Sequence, residues 1–507
     1  MQTNHIFYRS PVLFPGLSQE KTGKHDERLI SFADMEHRRI AQVFIVLFLL
    51  AFCRLSAQDG HYWTERYGTR STILNGVVIG SVDDLGAVYY NPARLGVLEE
   101  PGFILSGKVY EWTNIKIEDA LDEGLDLKES DFGGVPSLLA GTFRLGFLPR
   151  HQFGYAFLTR YRTNVDVGGR EERQGDFIPE YPGEELFNGL FGWRYDLKEE
   201  WMGLAWAYPL SKKVSVGATA FFVQRKKRAA YDLRLTAVGA DNAVAQYNGQ
   251  RGLSYNANGL LAKIGLAADL APFTLGVTIT TPKWNISGDG RLDYEEVLTG
   301  VEESVFVSSY QSGLSARHRW PWSIGAGAGM RAGNNLFHLS GEWFSAVPHY
   351  SLMEIDEFVG QTSGDTIRHQ IVDELNAVFN FGVGYEYLFN DRYSVHASFA
   401  TDRTAASSDV NRFMEFGDEI SNSISQKDLF HYGAGASLKF KAMEFTVGAT
   451  YTSSSERIQR PIDFPDEDDT SITDPDAVSA IQIHRWRFVF GFELSFLNRL
   501  KEKAGID

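Results

Sequence analysis

Three groups of residues in this sequence have the type and spacing to do chemistry. Arg225, Lys226, Lys227 and Arg228 are four consecutive cations, a run suited to phosphate oxygens. Asp463, Asp466, Glu467, Asp468 and Asp469 form an acidic stretch. Oxygen-rich stretches can hold a divalent ion, but the spacing of an EF-hand loop is missing, and a solvated, self-repelling loop is the expected state. Histidines His61, His151, His318, His338, His349, His369, His396, His431 and His484 follow residue 57 with no H-E-x-x-H or comparable ligand spacing. Neither G-x-S-x-G nor a phosphate loop occurs. No catalytic residue, metal or cofactor is therefore expected, and an enzyme would have to assemble its pairs across distant strands.

The only helix-like apolar run is Val43–Cys53, preceded by His37, Arg38 and Arg39 and followed by Leu55, Ser56 and Ala57. A basic flank, an apolar core and a small exit residue read as a secretory signal over residues 35–57, cut after Ala57. Met35 is a conventional start for it, which leaves residues 1–34 as an upstream extension. Removing residues 1–57 leaves 42 basic against 60 acidic residues, a net charge of −18, where the whole chain carries −16. That balance argues against nucleic acid as a partner. The cut also removes Cys53, the only cysteine, so rigidity must come from a source other than disulfides. Past residue 57 no apolar run approaches the roughly 18–20 residues of a membrane helix.

What must position any site here is a repeated element. Between residues 103 and 496, alternating apolar segments recur near Phe103, Ser137, Phe153, Glu200, Val214, Gly259, Thr274, Trp322, Leu336, Val378, Tyr393, Phe430, Glu444 and His484. Six gaps are a few residues long, near 149–152, 210–213, 270–273, 332–335, 389–392 and 441–443. Between them lie gaps of about 25–40 residues, such as 164–199, 225–258 and 284–321. Sorting by parity into short turns and long loops is the habit of outer-membrane barrels, whose tilted strands need about 9–11 residues to cross. The fold expected is all-β: a transmembrane antiparallel barrel of about fourteen strands over residues 102–497, with a short periplasmic tail over 498–507. Residues 232–238 and 303–310 could be further strand or loop hairpin.

Period two sends alternate side chains to opposite faces. Phe488, Phe490 and Phe492 share one parity while Val489, Gly491 and Glu493 share the other, so one face suits lipid and one a lumen. Trp201, Trp206, Trp284, Trp320, Trp322, Trp343 and Trp486 fall near strand ends or within strands, the places of an interfacial girdle. Residues 58–101 break the rhythm. Their apolar stretches favour folding into the lumen as a hatch over dangling in water.

Within that hatch, Gly80-Ser81-Val82-Asp83-Asp84-Leu85-Gly86-Ala87-Val88-Tyr89-Tyr90-Asn91-Pro92-Ala93 resembles the amino-terminal plug segment of the FadL-like long-chain fatty acid and hydrocarbon transporters, which carry D-x-x-A-x-x-x-N-P-A-G. Asp84, Ala87, Asn91, Pro92 and Ala93 match, and Arg94 stands where glycine is usual. Thr281-Pro282-Lys283-Trp284 and Trp320-Pro321-Trp322 resemble the family's proline-opened strands. The resemblance implies a fourteen-stranded barrel with a hatch in a bacterial outer membrane, and passive uptake of a hydrophobic small molecule. It also implies a kink in the third strand that opens the wall sideways; Gly154 is the only glycine in residues 153–163. The partners expected are that hydrophobic ligand and outer-membrane lipids including lipopolysaccharide; Arg225, Lys226, Lys227 and Arg228, just past the outer end of the fifth strand, are either a solvated rim or a contact to its phosphates. A monomer is expected. A non-transporting barrel serving as scaffold for a secretion or surface-attachment machine is the alternative.

Overall fold

The computed structural model describes residues 60–97, 103–105, 109–120, 126–135, 137–176, 181–301, 304–405, 407, 419–421, 428–440, 443–459 and 478–494. The signal segment, the tail and the acidic stretch at 463–469 lie outside them.

Fourteen strands form the wall. They are β1 (Phe103–Leu105 with Val109–Glu118), β2 (Leu127–Val135 with Leu138–Phe143), β3 (Gln152–Gly175), β4 (Glu185–Pro209), β5 (Val214–Val238), β6 (Val244–Leu270) and β7 (Phe273–Thr280 with Trp284–Thr299). The second half holds β8 (Val305–Ser315 with Ser323–Ala332), β9 (Asn335–Phe344), β10 (Val378–Leu388), β11 (Tyr393–Asp402), β12 (Leu429–Phe440), β13 (Met443–Gln459) and β14 (Val478–Leu494). Each pairs antiparallel with its neighbours, and β1 pairs with both β2 and β14 (Phe103 opposite Gly141 and Leu494), so the sheet closes on itself. Closure leaves no strand edge for lipid to face. Among the described residues no helix is long and apolar enough to cross a membrane.

The long gaps at 164–199, 225–258 and 284–321 are mostly strand, not loop. β3 to β6 run 24, 25, 25 and 27 residues, more than twice what a bilayer needs. In β4 the outward parity changes from Met202, Leu204 and Trp206 to Arg194, Asp196, Lys198 and Glu200, while Phe187, Phe191, Trp193, Tyr195 and Leu197 stay buried inside. Above the bilayer the alternation is inverted in chemistry, apolar inward and charged outward, but the strand continues. Residues 232–238 likewise complete β5. The β9–β10 connection carries a small sheet of its own, with Val347–Met353 antiparallel to Gln370–Leu375, and Gln370–Leu375 parallel to Glu419–Ser421.

The outer skin is apolar, with Leu204, Phe157 and Phe490 each more than half exposed. Six successive register partners, Phe132, Trp112, Trp486, Tyr451, Tyr432 and Phe399, form an aromatic row around β2, β1 and β14 to β11, as expected at an interface. Trp206, Trp284, Trp322, Trp343 and Trp486 face outward, but Trp201 and Trp320 are buried inside. These two are core tryptophans and not part of the girdle: Trp201 lies on the lumen parity of β4, and Trp320 lies between Ser315 and Ser323, where β8 is interrupted.

Candidate functional site

Residues 60–97 fill the lumen and are almost wholly buried. They hold two short helices, α1 (Arg70–Ile73) and α2 (Ala87–Tyr90), and a 3-10 turn over Pro92–Gly96. The motif residues fold this hatch onto itself and onto the wall. Asp84 accepts from the Ser71 and Gly86 N–H groups at 3.0 and 2.9 Å, tying the two helical turns together. Burial pushes its carboxyl up to about 6, against the lowering effect of the Ser71 bond. Asn91 caps the 3-10 turn by accepting from Ala93 N–H, and donates to the Ile79 and Leu266 carbonyls at 3.0 and 3.1 Å. Pro92 opens the turn, and Ala87 and Ala93 are fully buried. Arg94 donates to the Val82 carbonyl at 3.0 Å and pairs with Asp269 at the end of β6, so the residue that departs from the family pattern is itself a wall contact. Gly265 and Gly276 admit this packing, because a Cβ there would strike the Asn91 side chain and the Ile79 carbonyl.

Three carboxylates on the lumen parity of the wall grip the hatch. Asp402 accepts from the Tyr62 and Trp63 N–H groups (3.0 and 2.8 Å) and the Thr64 hydroxyl (2.6 Å), with His61 and His431 each 3.5 Å away. Glu342 accepts from the Trp63 indole at 3.0 Å and the Ser323 hydroxyl at 2.7 Å. Glu386 takes the Arg70 guanidinium, and has His338 at 2.5 Å and His396 at 2.9 Å. Buried charges persist where they are paired and hydrogen-bonded, and here each carboxylate has partners both on the hatch and on the wall, where Glu342 lies 3.7 Å from Lys263.

The wall is interrupted on one side. β2 and β3 are in register only up to Leu138 opposite Leu158, and Thr159 N–H still reaches the Ser137 carbonyl at 3.2 Å. Above that, among the described residues, no register pair joins them. The next link is Asp166 N–H to the Glu129 carboxylate at 2.9 Å. At this height β3 carries a β-bulge against β4 between Thr159 and Tyr161, whose extra residue is Arg160; a bulge bends its strand and locally disrupts the ladder. Both Arg160 and Tyr161 turn inward, and they donate to the Tyr62 and His61 carbonyls. The Arg160 guanidinium lies 4.8 Å from the Tyr161 ring centre and 5.2 Å from that of Trp320. The hatch segment that Asp402 holds from one side is therefore held from the other by the bulge.

A cavity of about 470 Å³ lies above the hatch and reaches this interruption. Gly133, Gly134, Arg162 and Thr163 line it where the wall is unpaired, and Ile115, Trp193, Leu197 and Ile481 give it apolar sides. Its floor is charged, with Arg66 and Glu65 from the hatch, Arg487 from β14 and Glu111 from β1. Arg487 is occupied: it donates to Glu111 at 2.6 Å and the Thr64 carbonyl at 2.7 Å, and pairs with Glu65. Arg66 is only 3% exposed, and its Nε and Nη2 have no hydrogen-bond partner. The arrangement can hold an apolar body with its polar end on a guanidinium.

The four-cation run is split by the strand period. Arg225 and Lys227 face the lumen, where Arg225 pairs with Glu199 at 2.9 Å and donates to the Tyr255 hydroxyl at 3.1 Å. Lys226 and Arg228 face outward. All four therefore cannot meet an external phosphate together, since only Lys226 and Arg228 are on the outer face. Gly154 lies within the regular part of β3 and is not the bend. The gripping carboxylates and Arg160 escaped sequence reasoning. Their one signal was a charged residue on the small, lumen-facing parity, as with Glu386 beyond Gly382 and Gly384.

No family model matches the sequence, and no curated protein matches it. Solved structures do. A Pseudomonas aeruginosa FadL homologue superposes with a TM-score of 0.52 at 12% identity, over 86% of this chain and all of that one. The Pseudomonas putida toluene transporter TodX superposes with a TM-score of 0.53 at 14% identity, over 86% of this chain and all of that one. In fold, this chain is a FadL-like hatch-filled β-barrel.

Proposed function

We propose that the protein is an outer-membrane transporter for passive uptake of hydrophobic small molecules. The observation that carries this reading is a cavity joining apolar lumen walls to the unpaired stretch between β2 and β3. Outer-membrane barrels of this kind face a hydrated sugar layer that a greasy molecule crosses poorly. Lumen and bilayer, by contrast, are environments of similar energy for it, so only a path avoiding water is needed. Ligand enters from the long-stranded end, rests above the hatch, and leaves sideways into the bilayer past Gly133, Gly134 and Thr163. Arg66, whose Nη1 donates to the Thr64 carbonyl at 3.1 Å while Nε and Nη2 stay unpaired, favours a ligand with an anionic head, such as a long-chain fatty acid, over a neutral hydrocarbon, since a hydrogen bond to a charged group contributes about 1.5–3 kcal/mol.

An apolar cavity is what a transporter requires. A scaffold has no use for one, and its interior would be filled or uniformly polar. Native mass spectrometry of the detergent-purified full chain, followed by lipid extraction, tests the reading. A co-purifying apolar or amphiphilic molecule of a few hundred daltons is expected. A bare barrel that also fails to take up added palmitate would count against it.

A further inference from the structure

The outward face of β4 to β7 carries a feature that uptake through the lumen does not use. Register partners Met202, Phe222, Leu260 and Trp284 form an outward row across these four strands and belong to the apolar belt. The next outward row up is uncharged except at Glu200, followed by Gln224, Asn258 and Ser287. Above it, Lys198, Lys226, Asn256 and Asp289 are partners, and then Asp196, Arg228, Ser254 and Arg291. The Lys198 row is four residues above the belt. That is about 13 Å of strand, or about 10 Å along the membrane normal at the usual tilt.

These upper rows line an outward groove of about 530 Å³. It holds Lys198, Lys226, Arg228 and Arg291 against two acids, Asp196 and Asp289. The local excess is positive in a chain whose net charge is −16. Lys198 and Lys226 are direct cross-strand partners, and like charges so placed destabilise a sheet. Lys198 is offset by Glu200 at 2.8 Å. Lys226 and Arg228 have neither an ion-pair nor a hydrogen-bond partner among the described residues. Two unpaired cations, a third beside them and a guanidinium two strands away, Arg291, thus share one groove directly over an oily surface.

We infer that this groove docks the phosphates of an outer-leaflet glycolipid of the lipid A type, whose acyl chains lie on the Met202–Phe222–Leu260 belt below. Charge complementarity and continuity with the belt fix the occupant: a soluble anion would have no use for the apolar row, and a zwitterionic lipid would leave the cationic excess unmet. Guanidinium and ammonium groups in one cluster suit phosphate oxygens. The inference requires the belt to lie in a membrane and is independent of what the lumen carries.

The test uses the full chain in mixed micelles with diphosphoryl lipid A, its dephosphorylated form and phosphatidylglycerol as probes. K198Q/K226Q/R228Q/R291Q is compared with wild type and with K439Q, a cation beside the short turn after β12, remote from the groove. Heat-modifiable gel mobility checks that each barrel is folded. Lipid A retention at least tenfold weaker in the quadruple variant alone, and equally weak for the dephosphorylated form, is the expected result. Unchanged retention in the quadruple variant overturns the inference. So does equal retention of phosphatidylglycerol, or binding abolished by chelator in every protein, which would assign the groove to a divalent ion on Asp196 and Asp289.

Discussion

The two sides of the barrel wall are built differently. From β4 to β6 the strands run 25–27 residues in unbroken register. From β1 to β3 the wall is less regular: β2 breaks at Ser137, β3 is bulged at Arg160, and β2 and β3 part above Ser137. The parting of β2 and β3 coincides with one inserted residue in β3, Arg160. That residue also reaches the hatch, because Arg160 and Tyr161 donate to the Tyr62 and His61 carbonyls while Asp402 holds the same segment from across the lumen. On the proposed reading, the continuous side holds the barrel while the interrupted side links the hatch to the exit route.

Single-residue length changes sharpen this comparison most. Inserting one alanine after Phe222 in β5 would turn every residue above it to the opposite face and drive Lys226 and Arg228 inward. Complete loss of folded, heat-modifiable barrel is expected. Deleting Arg160 removes the bulge instead; the barrel should fold, the β2–β3 ladder lengthen, and palmitate uptake by proteoliposomes fall at least tenfold.

Within the cavity, Arg66→Gln should weaken binding of a fatty acid by about tenfold or more, from the loss of one charged hydrogen bond. Binding of a neutral hydrocarbon of equal length should be unchanged, as titration calorimetry would read. Asp402→Asn replaces an ion with a neutral group that cannot accept from all three hatch donors. Amide exchange at Tyr62 and Trp63 should quicken about tenfold, while amides of β5 stay protected.

The smallest effect expected concerns Asp84. Its carboxyl sits near 6 inside the hatch because of burial, against about 3.9 in an unfolded chain. A raised folded value favours the protonated form, so its stabilisation is complete below pH ~4 and lost as pH rises through 6. The melting temperature of wild type minus that of Asp84→Asn should therefore fall between pH 4 and pH 7, by no more than a few degrees in a barrel of this size.

The strand starts were readable because period-two alternation in the bilayer zone pits apolar against small or polar residues, as at Phe488 to Gly491. The same alternation in β4 above Glu200 was not readable as strand, since charged residues had replaced the apolar outer set and suggested loop. Asp84 and Asn91 could be singled out as a local motif, and their bonds are largely local too. Asp402 could not, because its hatch partner Tyr62 is 340 residues away and only barrel closure brings them together. Arg160 sits among Leu158, Thr159 and Tyr161 with no glycine or proline to announce a bend. The bulge appears only when β3 is set against β4.

The most direct measurement is of exit through the β2–β3 opening. With Cys53 replaced by serine, T163C supplies the one thiol, which a bulky maleimide would cap where the cavity meets the unpaired wall. The labelled protein should still bind palmitate but transfer it into vesicles at least tenfold more slowly than the unlabelled variant. Equal transfer with and without the label would show that ligand does not leave by this route, and would contradict the account.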